Sequence, residues 1–208
     1  MAKKIGRRRR SRLWRVGALV MAVAVGLGAW WLWPTAARRV EALEKVAPPA
    51  WIQQDFIPVG KARTGVRLAD YAGIVIHYVG NPGTTARNNR NYFAMEDTNV
   101  CSHFVVGLDG EIVQCLPLWE RSAASNQRNR DTISIEVCHP DEGGAFNAAT
   151  YASLVRLVAW LCDVGRLDTA AVIRHYDVTG KDCPLYYVQN PDAWERLLWD
   201  VEAQRADG

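Results

Sequence analysis

The sequence predicts an α/β domain, in which a mixed central β-sheet is flanked by helices on both faces, preceded by a single N-terminal transmembrane helix. Short runs of branched apolar residues, typical of buried strands, recur between residues 73 and 175. Longer segments carry apolar residues at the spacing of an amphipathic helix. A basic cluster followed by an uncharged apolar run occupies the first 33 residues. The 49% hydrophobic and 23% charged composition is that of an ordinary globular protein, so disorder throughout is excluded.

The N-terminal segment has the pattern of a signal-anchor. Residues 1–15 contain eight Lys or Arg and no acid, and residues 16–33 contain no charge. Eighteen apolar residues are about the minimum for spanning a bilayer, and flanking cations keep their end of the helix in the cytoplasm. We therefore expect a basic cytoplasmic head at 1–12, a transmembrane signal-anchor at 13–33, and a single-pass cell-membrane protein whose folded domain is extracytoplasmic.

Alternatives to membrane retention stay open. Small residues at 35–37 would permit cleavage as a signal peptide and secretion of the domain. A buried core helix, or a nuclear or nucleic-acid-binding signal, would also fit parts of the segment. Beyond residue 15 the chain holds 17 basic and 22 acidic side chains, which argues against a nucleic-acid partner. We expect contact with the membrane through the N-terminal helix only, and a monomer.

The remaining elements follow in order. Residues 34–50 predict a short helical or extended tether, and the folded domain is expected to cover 51–208. Predicted strands lie at 73–78, 102–108, 111–115, 132–138 and 171–175, with a hairpin turn at Asp109-Gly110. Predicted helices run from 87 to 95, from a cap at Asn147 to near Gly165, and onward from Asn190-Pro191.

Two histidines and a cysteine form a candidate metal site. His77 and His175 each end a predicted strand, and Cys183 lies eight residues after His175 on a polar loop. If the two strands lie side by side, the three side chains supply three soft ligands for Zn²⁺ and leave the fourth tetrahedral position for water. Each histidine taken alone is equally consistent with a hydrogen-bonded structural residue.

Amide hydrolysis at such a site needs a proton carrier and a group that stabilises the developing oxyanion. Glu136, an acid within an apolar alternating strand, fits the first role, and Lys181, two residues before Cys183, fits the second. A solvated glutamate and a surface lysine are the alternative interpretations. Zinc with an open position lowers the pKa of its water to near 7, so the set predicts a zinc hydrolase.

Several separated motifs, in order, resemble the type-2 N-acetylmuramoyl-L-alanine amidases, the family of phage lysozyme-like amidases and peptidoglycan recognition proteins. The motifs are Ile76-His77-Tyr78, Ser102-His103-Phe104, Asp109-Gly110, Ile133-Ser134-Ile135-Glu136 and the run from His175 to Pro184. The resemblance implies that His77, His175 and Cys183 bind zinc, that Glu136 is the acid/base and that Lys181 stabilises the oxyanion. It implies hydrolysis of the amide between N-acetylmuramic acid and L-alanine, with zinc-bound water as nucleophile and peptidoglycan or muropeptide as substrate.

One departure from the family pattern concerns the residue before His103. Some members carry a catalytic tyrosine where this chain has Ser102, so Glu136 is expected to carry the proton transfers. Ser102 or His103 is then expected at most to form part of the wall around the substrate or to contact the site residues from outside.

Polar groups in the neighbouring loops are candidates for substrate binding. The residues proposed for this role are Tyr78, Asn81, His103 and Asn126, and the further candidates are Asn89, Asn91 and Asn129. Loop asparagines more often satisfy their own backbone, which is the alternative for Asn81 and Asn126.

The competing functional hypothesis is a non-catalytic, membrane-anchored peptidoglycan-binding module of the same fold. Cys183 and Lys181 favour the enzyme, because a recognition module has no physical need for a third metal ligand beside a cation. The four cysteines other than Cys183 allow three disulfide pairings, and Cys162, on the apolar face of a predicted helix, is expected to be a buried thiol.

Overall fold

A computed structural model describes residues 35–206 of the chain. The strands are β1 (Ile52–Gln54), β2 (Gly73–Tyr78), β3 (Phe104–Val106), β4 (Ile112–Gln114), β5 (Thr132–Val137) and β6 (Val172–Arg174). The α-helices are α1 (Ala36–Glu44), α2 (Ala86–Phe93), α3 (Ala148–Gly165), α4 (His175–Thr179), α5 (Leu185–Gln189) and α6 (Pro191–Ala206), with 3-10 helices at Asn126–Arg130 and Thr169–Ala171. The predicted transmembrane segment at 13–33 and the basic head at 1–12 lie outside the described residues.

The six strands form one mixed sheet in the order β1-β4-β3-β5-β2-β6. The hairpin pair β3 and β4 is antiparallel, while the other neighbouring pairs are parallel. A mixed central sheet with flanking helices is the fold class that the sequence predicts, and for the described residues that prediction is confirmed.

Helices cover both faces of the sheet because the strand side chains alternate between two apolar cores. On one face, Ile74 and Ile135 are buried in the core cluster that includes Leu157 of α3 and Leu197 of α6. On the other face, Val105 packs in a smaller cluster that includes Ala86 and Phe93 of α2. Polar side chains, including those of His77 and Glu136, lie side by side near the carboxyl ends of β2 and β5.

Local signals in the sequence explain where the helices begin. The Asn147 side chain accepts a hydrogen bond from the main-chain N–H of Thr150, which caps α3 as predicted. Thr85 and Asn88 form a reciprocal capping box at the start of α2. Within residues 35–206, α3 is the one helix long and apolar enough to cross a membrane, and its apolar side packs in the core.

The segment preceding β1 is part of the folded unit. Residues 36–44, which the sequence assigns to a tether, form α1, whose Val40 and Leu43 are buried in the main core. The Arg39 guanidinium also pairs with the Asp70 carboxylate at 2.6 Å. A helix was one of the two forms expected for the tether, but its packing against the domain was not expected.

All five cysteines, Cys101, Cys115, Cys138, Cys162 and Cys183, are buried and free of disulfides. Cys162 lies in the main core, as its position on the apolar face of α3 predicts.

Candidate active site

Three strands bring the candidate site residues to one edge of the sheet. In the parallel pairing of β2 and β5, His77 lies directly opposite Glu136. In the pairing of β2 and β6, Ile76 lies opposite Arg174, so His175 follows at the level of His77. His175 is the first residue of α4 rather than the last residue of a strand, but the predicted side-by-side placement of the two histidines is confirmed.

Cys183 joins the two histidines from the loop between α4 and α5. One ligand atom from each of His77, His175 and Cys183 can be chosen so that all three lie within 4.8 Å of one another. The Cys183 sulfur lies 3.9 Å from Nδ1 of His77, and the two imidazole ring centroids are 4.5 Å apart. The main-chain N–H of Tyr176 donates to the carbonyl oxygen of Cys183 at 2.9 Å, which holds the loop against α4.

The outward-facing nitrogen of each imidazole has a polar partner. Nε2 of His77 lies 2.9 Å from the Ser125 hydroxyl, and Nε2 of His175 lies 3.1 Å from Oδ1 of Asn126. Both contacts leave Nδ1 available, and such outer contacts commonly fix the orientation of metal-binding histidines. The Asn129 side chain in turn accepts hydrogen bonds from the main-chain N–H groups of Ala124 and Ser125, which holds the turn in place.

The protonation equilibria of the two imidazoles suit a metal ion, whereas that of the thiol opposes metal binding. Burial, with the charges of His175 and Lys181, lowers the pKa of His77 well below its usual value, and burial lowers the pKa of His175. Neutral imidazoles keep the lone pair that a metal requires. Burial, with the charge of Glu136, raises the pKa of the Cys183 thiol to about 12 in the absence of a metal, so metal binding would have to displace a proton.

Glu136 is a shielded carboxyl group with an unsatisfied oxygen. Its Oε2 atom is buried and has no hydrogen-bond partner among the described residues. Burial raises the pKa of Glu136 to about 8, and the positive charge of Lys181 opposes this rise. A buried oxygen without a hydrogen-bond partner, beside three possible metal ligands, indicates that the site binds a metal ion, a water molecule or a substrate group.

A cavity of about 570 Å³ joins these groups. Its lining contains all five predicted metal and catalytic residues, namely His77, His175, Cys183, Glu136 and Lys181. The predicted substrate-binding residues Tyr78 and Asn81 also line it, and the Tyr78 ring packs on that of His139 at 4.9 Å. The cavity therefore has room for a substrate beside the donor cluster.

Sequence reasoning missed two parts of the site. Asn88 and Tyr92 of α2 line the cavity, although the polar face of this helix looks like an ordinary solvated helix face in the sequence. Asn89 of the same helix, which the sequence offers as a candidate for substrate binding, lines the cavity too. Ser125 was missed as well. Metal-binding histidines generally form a hydrogen bond through the ring nitrogen that does not bind the metal. The sequence does not indicate that the Ser125 hydroxyl is the partner of His77.

The positions of His103 and Asn126 differ from the prediction that they bind substrate. His103 is 0% exposed and is absent from the cavity lining. Its Nε2 lies 2.8 Å from the carbonyl oxygen of Glu120, and its Nδ1 accepts from the main-chain N–H of Ser134. The assignment of His103 to substrate binding is therefore wrong, because no surface of its ring is accessible. Asn126 does not line the cavity. It contacts His175 instead and so orients one member of the metal-type cluster, which is His77, His175 and Cys183.

The fold and the site together define a class of protein. Donors, acid and lysine converge at the carboxyl ends of parallel strands, which is where α/β enzymes bind their substrates. A soft N, N, S donor set with a neighbouring acid has the composition of a three-ligand zinc site. The described residues therefore form an α/β domain whose cavity combines possible metal ligands with a neighbouring acid and a lysine.

Comparisons with known proteins identify the family. Residues 68–185 match the family model described as N-acetylmuramoyl-L-alanine amidase, which is more than half of the chain. The chain belongs to this family, and the resemblance noted in the sequence is confirmed.

Named relatives include amidases of bacilli. The N-acetylmuramoyl-L-alanine amidase CwlL of Bacillus licheniformis is 31% identical over 157 residues, covering 67% of this chain and 43% of the relative. BlyA of Bacillus subtilis (strain 168), with the same activity in its name, is 31% identical over 157 residues, covering 65% of this chain and 42% of the relative. The chain therefore spans less than half the length of these relatives.

Solved structures support the fold. The catalytic domain of XlyA matches with a TM-score of 0.64 and 29% identity, covering 72% of this chain and 98% of that domain. PlyL matches with a TM-score of 0.64 at 22% identity, covering 72% of this chain and 96% of that structure, which is a likeness of fold alone.

Proposed function

We propose that this chain is a zinc-dependent hydrolase that cleaves the amide bond between N-acetylmuramic acid and L-alanine in peptidoglycan. The observation that carries the proposal is the convergence of His77, His175 and Cys183 in the same cavity as Glu136 and Lys181. Membership of the amidase family supports the reaction and the substrate class.

The three donors would hold the metal, with His77 and His175 each offering Nδ1 and Cys183 its sulfur. Zinc supplies, when bound, a Lewis acid that polarises a carbonyl group and lowers the pKa of water. Ser125 and Asn126 keep the two imidazoles oriented by their contacts with the Nε2 atoms. The site residues are thereby held in place before substrate arrives.

Glu136 is the proton carrier in this proposal. Its Oε2 has no competing hydrogen-bond partner among residues 35–206. Burial raises the pKa of the Glu136 carboxyl group in the metal-free protein, and the positive charge of a bound zinc ion would lower it again. The carboxylate could then accept the proton of the attacking water and return it to the leaving amide nitrogen.

Lys181 stabilises the negative charge that develops on the carbonyl oxygen. It lines the cavity, and its positive charge lowers the pKa of both His77 and Glu136. A fixed cation placed where charge develops favours the transition state over the bound substrate.

The test uses the full chain in detergent, loaded with zinc, and measures release of stem peptide from purified peptidoglycan. We expect release that stops on chelation and returns with zinc, and a loss of about 10²–10⁴-fold in rate for Glu136→Ala. Glu195→Gln, at an exposed site on α6, is the matched control and should retain wild-type rates. Binding of peptidoglycan without release under any condition would instead establish a non-catalytic recognition module.

We also propose that residues 13–33 anchor the protein in the cell membrane as a monomer, with the domain on the outer side. The composition of this segment supports the proposal. We expect the full chain to stay in the membrane fraction after washing at high pH. A soluble product that begins beyond residue 33 would show signal-peptide cleavage instead.

A further inference from the structure

A second cavity lies beside the candidate active site. It has a volume of about 460 Å³, and it shares no lining residue with the larger cavity. Asn126 links the two regions, because this residue lines the second cavity while its Oδ1 contacts His175. Only the side chain of Asn126 would therefore separate a ligand group in the second cavity from His175.

The second cavity is rich in hydrogen-bond donors and positive charge. Arg121 and Arg130 line it, and no acidic side chain of the described residues does. Neither guanidinium forms an ion pair within residues 35–206, in contrast to nearby Arg128, which pairs with Asp131 at 2.8 Å. Two cations without a carboxylate partner favour an anionic ligand.

Arg121 is held in a fixed orientation. Its main-chain N–H donates to the carbonyl oxygen of Val66 at 2.8 Å, and its Nε donates to the carbonyl oxygen of Arg67 at 3.1 Å. The two terminal nitrogens of the guanidinium have no partner among the described residues. A guanidinium held in this way loses little freedom when it binds a planar carboxylate.

Ser122 supplies an independent indication of a ligand. Its side chain is 5% exposed and lines the cavity, and its hydroxyl has no hydrogen-bond partner within the part of the chain that the structure describes. Leaving a buried hydroxyl unpaired costs stability, so such groups usually have a partner. A ligand bound in this cavity would provide one.

We propose that this second cavity binds a carboxylate of the peptidoglycan stem peptide, at a distance from the amide that is cut. The inference rests on the proposed function, which brings a peptide with free carboxylates to the adjacent site. Arg121 and Arg130 bind the carboxylate, and Ser122 adds a hydroxyl donor. Binding at this position anchors the peptide part of the substrate while the scissile amide lies in the larger cavity.

The experiment compares the zinc-loaded full chain with Arg121→Gln, Arg130→Gln and the double variant. The probes are a soluble N-acetylmuramoyl peptide with free carboxylates and the same compound with those carboxylates amidated. Each single substitution should raise KM for the free probe about threefold to tenfold and leave kcat near the wild-type value, because the contact is made equally in the bound substrate and the transition state. The double variant should lose the preference for the free probe over the amidated one.

Arg166→Gln is the matched control, since Arg166 is an exposed arginine in a different cleft beside Asp163 and Asp168. It removes the same charge and should change KM less than twofold. If the wild-type enzyme cleaves the free probe and the double variant has the same KM, the inference is overturned. An equal rise in KM for the free and the amidated probe overturns it too.

A wild-type chain that cleaves neither probe would contradict the proposed amidase function but would not test carboxylate binding in the second cavity. Calorimetric titration of the full chain with the free probe then decides the inference. Binding that is weakened by the double substitution supports the carboxylate site, and binding that is unchanged overturns it.

Discussion

Replacing Glu136 with glutamine in the metal-free protein is expected to remove a large part of the pH dependence of its stability. Burial raises the pKa of this carboxyl from 4.5 to about 8 in the folded state. Between these values the folded state binds one more proton than the unfolded state, so the free energy of unfolding falls as pH rises. The stabilising contribution of the protonated group is fully present below pH 4.5 and is lost as pH rises through about 8.

The size of the effect follows from the shift. Each pKa unit corresponds to about 1.36 kcal/mol, which sets an upper bound of about 5 kcal/mol on the loss across the interval. Water that reaches the cavity reduces this figure, and we expect about 2–4 kcal/mol to be measured. Glutamine has a similar shape and carries no proton that dissociates in this range. The Glu136→Gln variant should therefore lack this pH-dependent loss of unfolding free energy.

The assay is urea denaturation of the chelator-treated chain at half-unit pH steps from 4.5 to 9. At pH 8 the Glu136→Gln variant should be more stable than the wild type by about the amount lost, while near pH 4.5 the two should have similar stability. Glu195→Gln, exposed on α6, should follow the wild-type curve. Parallel curves for the wild type and Glu136→Gln across the whole range would refute the assignment of Glu136 as a shielded carboxyl.

Two further predictions concern the contacts that hold the site and the domain together. Ser125→Ala removes the hydroxyl 2.9 Å from Nε2 of His77 and should weaken zinc binding about 10- to 100-fold in a competition titration with a chromogenic chelator. Ser153→Ala, which removes a 2.7 Å hydrogen bond to Gly110 away from the site, should leave zinc affinity unchanged, and an equal loss in both variants would contradict a positioning role for Ser125. Leu43→Ala should lower the free energy of unfolding by about 2–5 kcal/mol, because Leu43 of α1 is buried in the main core. A cost near zero, as at an exposed tether, would show that α1 does not belong to the folded unit.

The sequence predicted the parts of the site whose chemistry depends on residue type and local spacing. His77 and His175 each follow a short apolar run, and such runs form buried strands whose ends share one edge of the sheet. Glu136 was predicted from strict alternation in its strand, which places it on a face away from Ile133 and Ile135. These inferences need only two things. One is the alternation of side chains along a strand, and the other is the preference of zinc for histidine and cysteine ligands.

Other features depend on contacts between segments far apart in the chain. Ser125 and His77 are separated by 48 residues and meet only because β5 follows the 3-10 turn back to β2. His103 has the residue type of a site group, yet it is enclosed by Ser134 and Glu120, and its burial follows from the packing of neighbouring strands.

The sequence by itself determined the approximate positions of β2 to β6 and of α2, α3 and α6, the family, and the candidate set of His77, His175, Cys183, Glu136 and Lys181. Only the tertiary structure decided that the ligand atoms approach within 4.8 Å, that α1 packs on the core, and that Arg121 and Arg130 share a cavity. The physical reason is the range of the interactions involved. Periodicity and capping act over a few neighbouring residues, whereas burial and the meeting of side chains from different strands depend on how the whole sheet is paired.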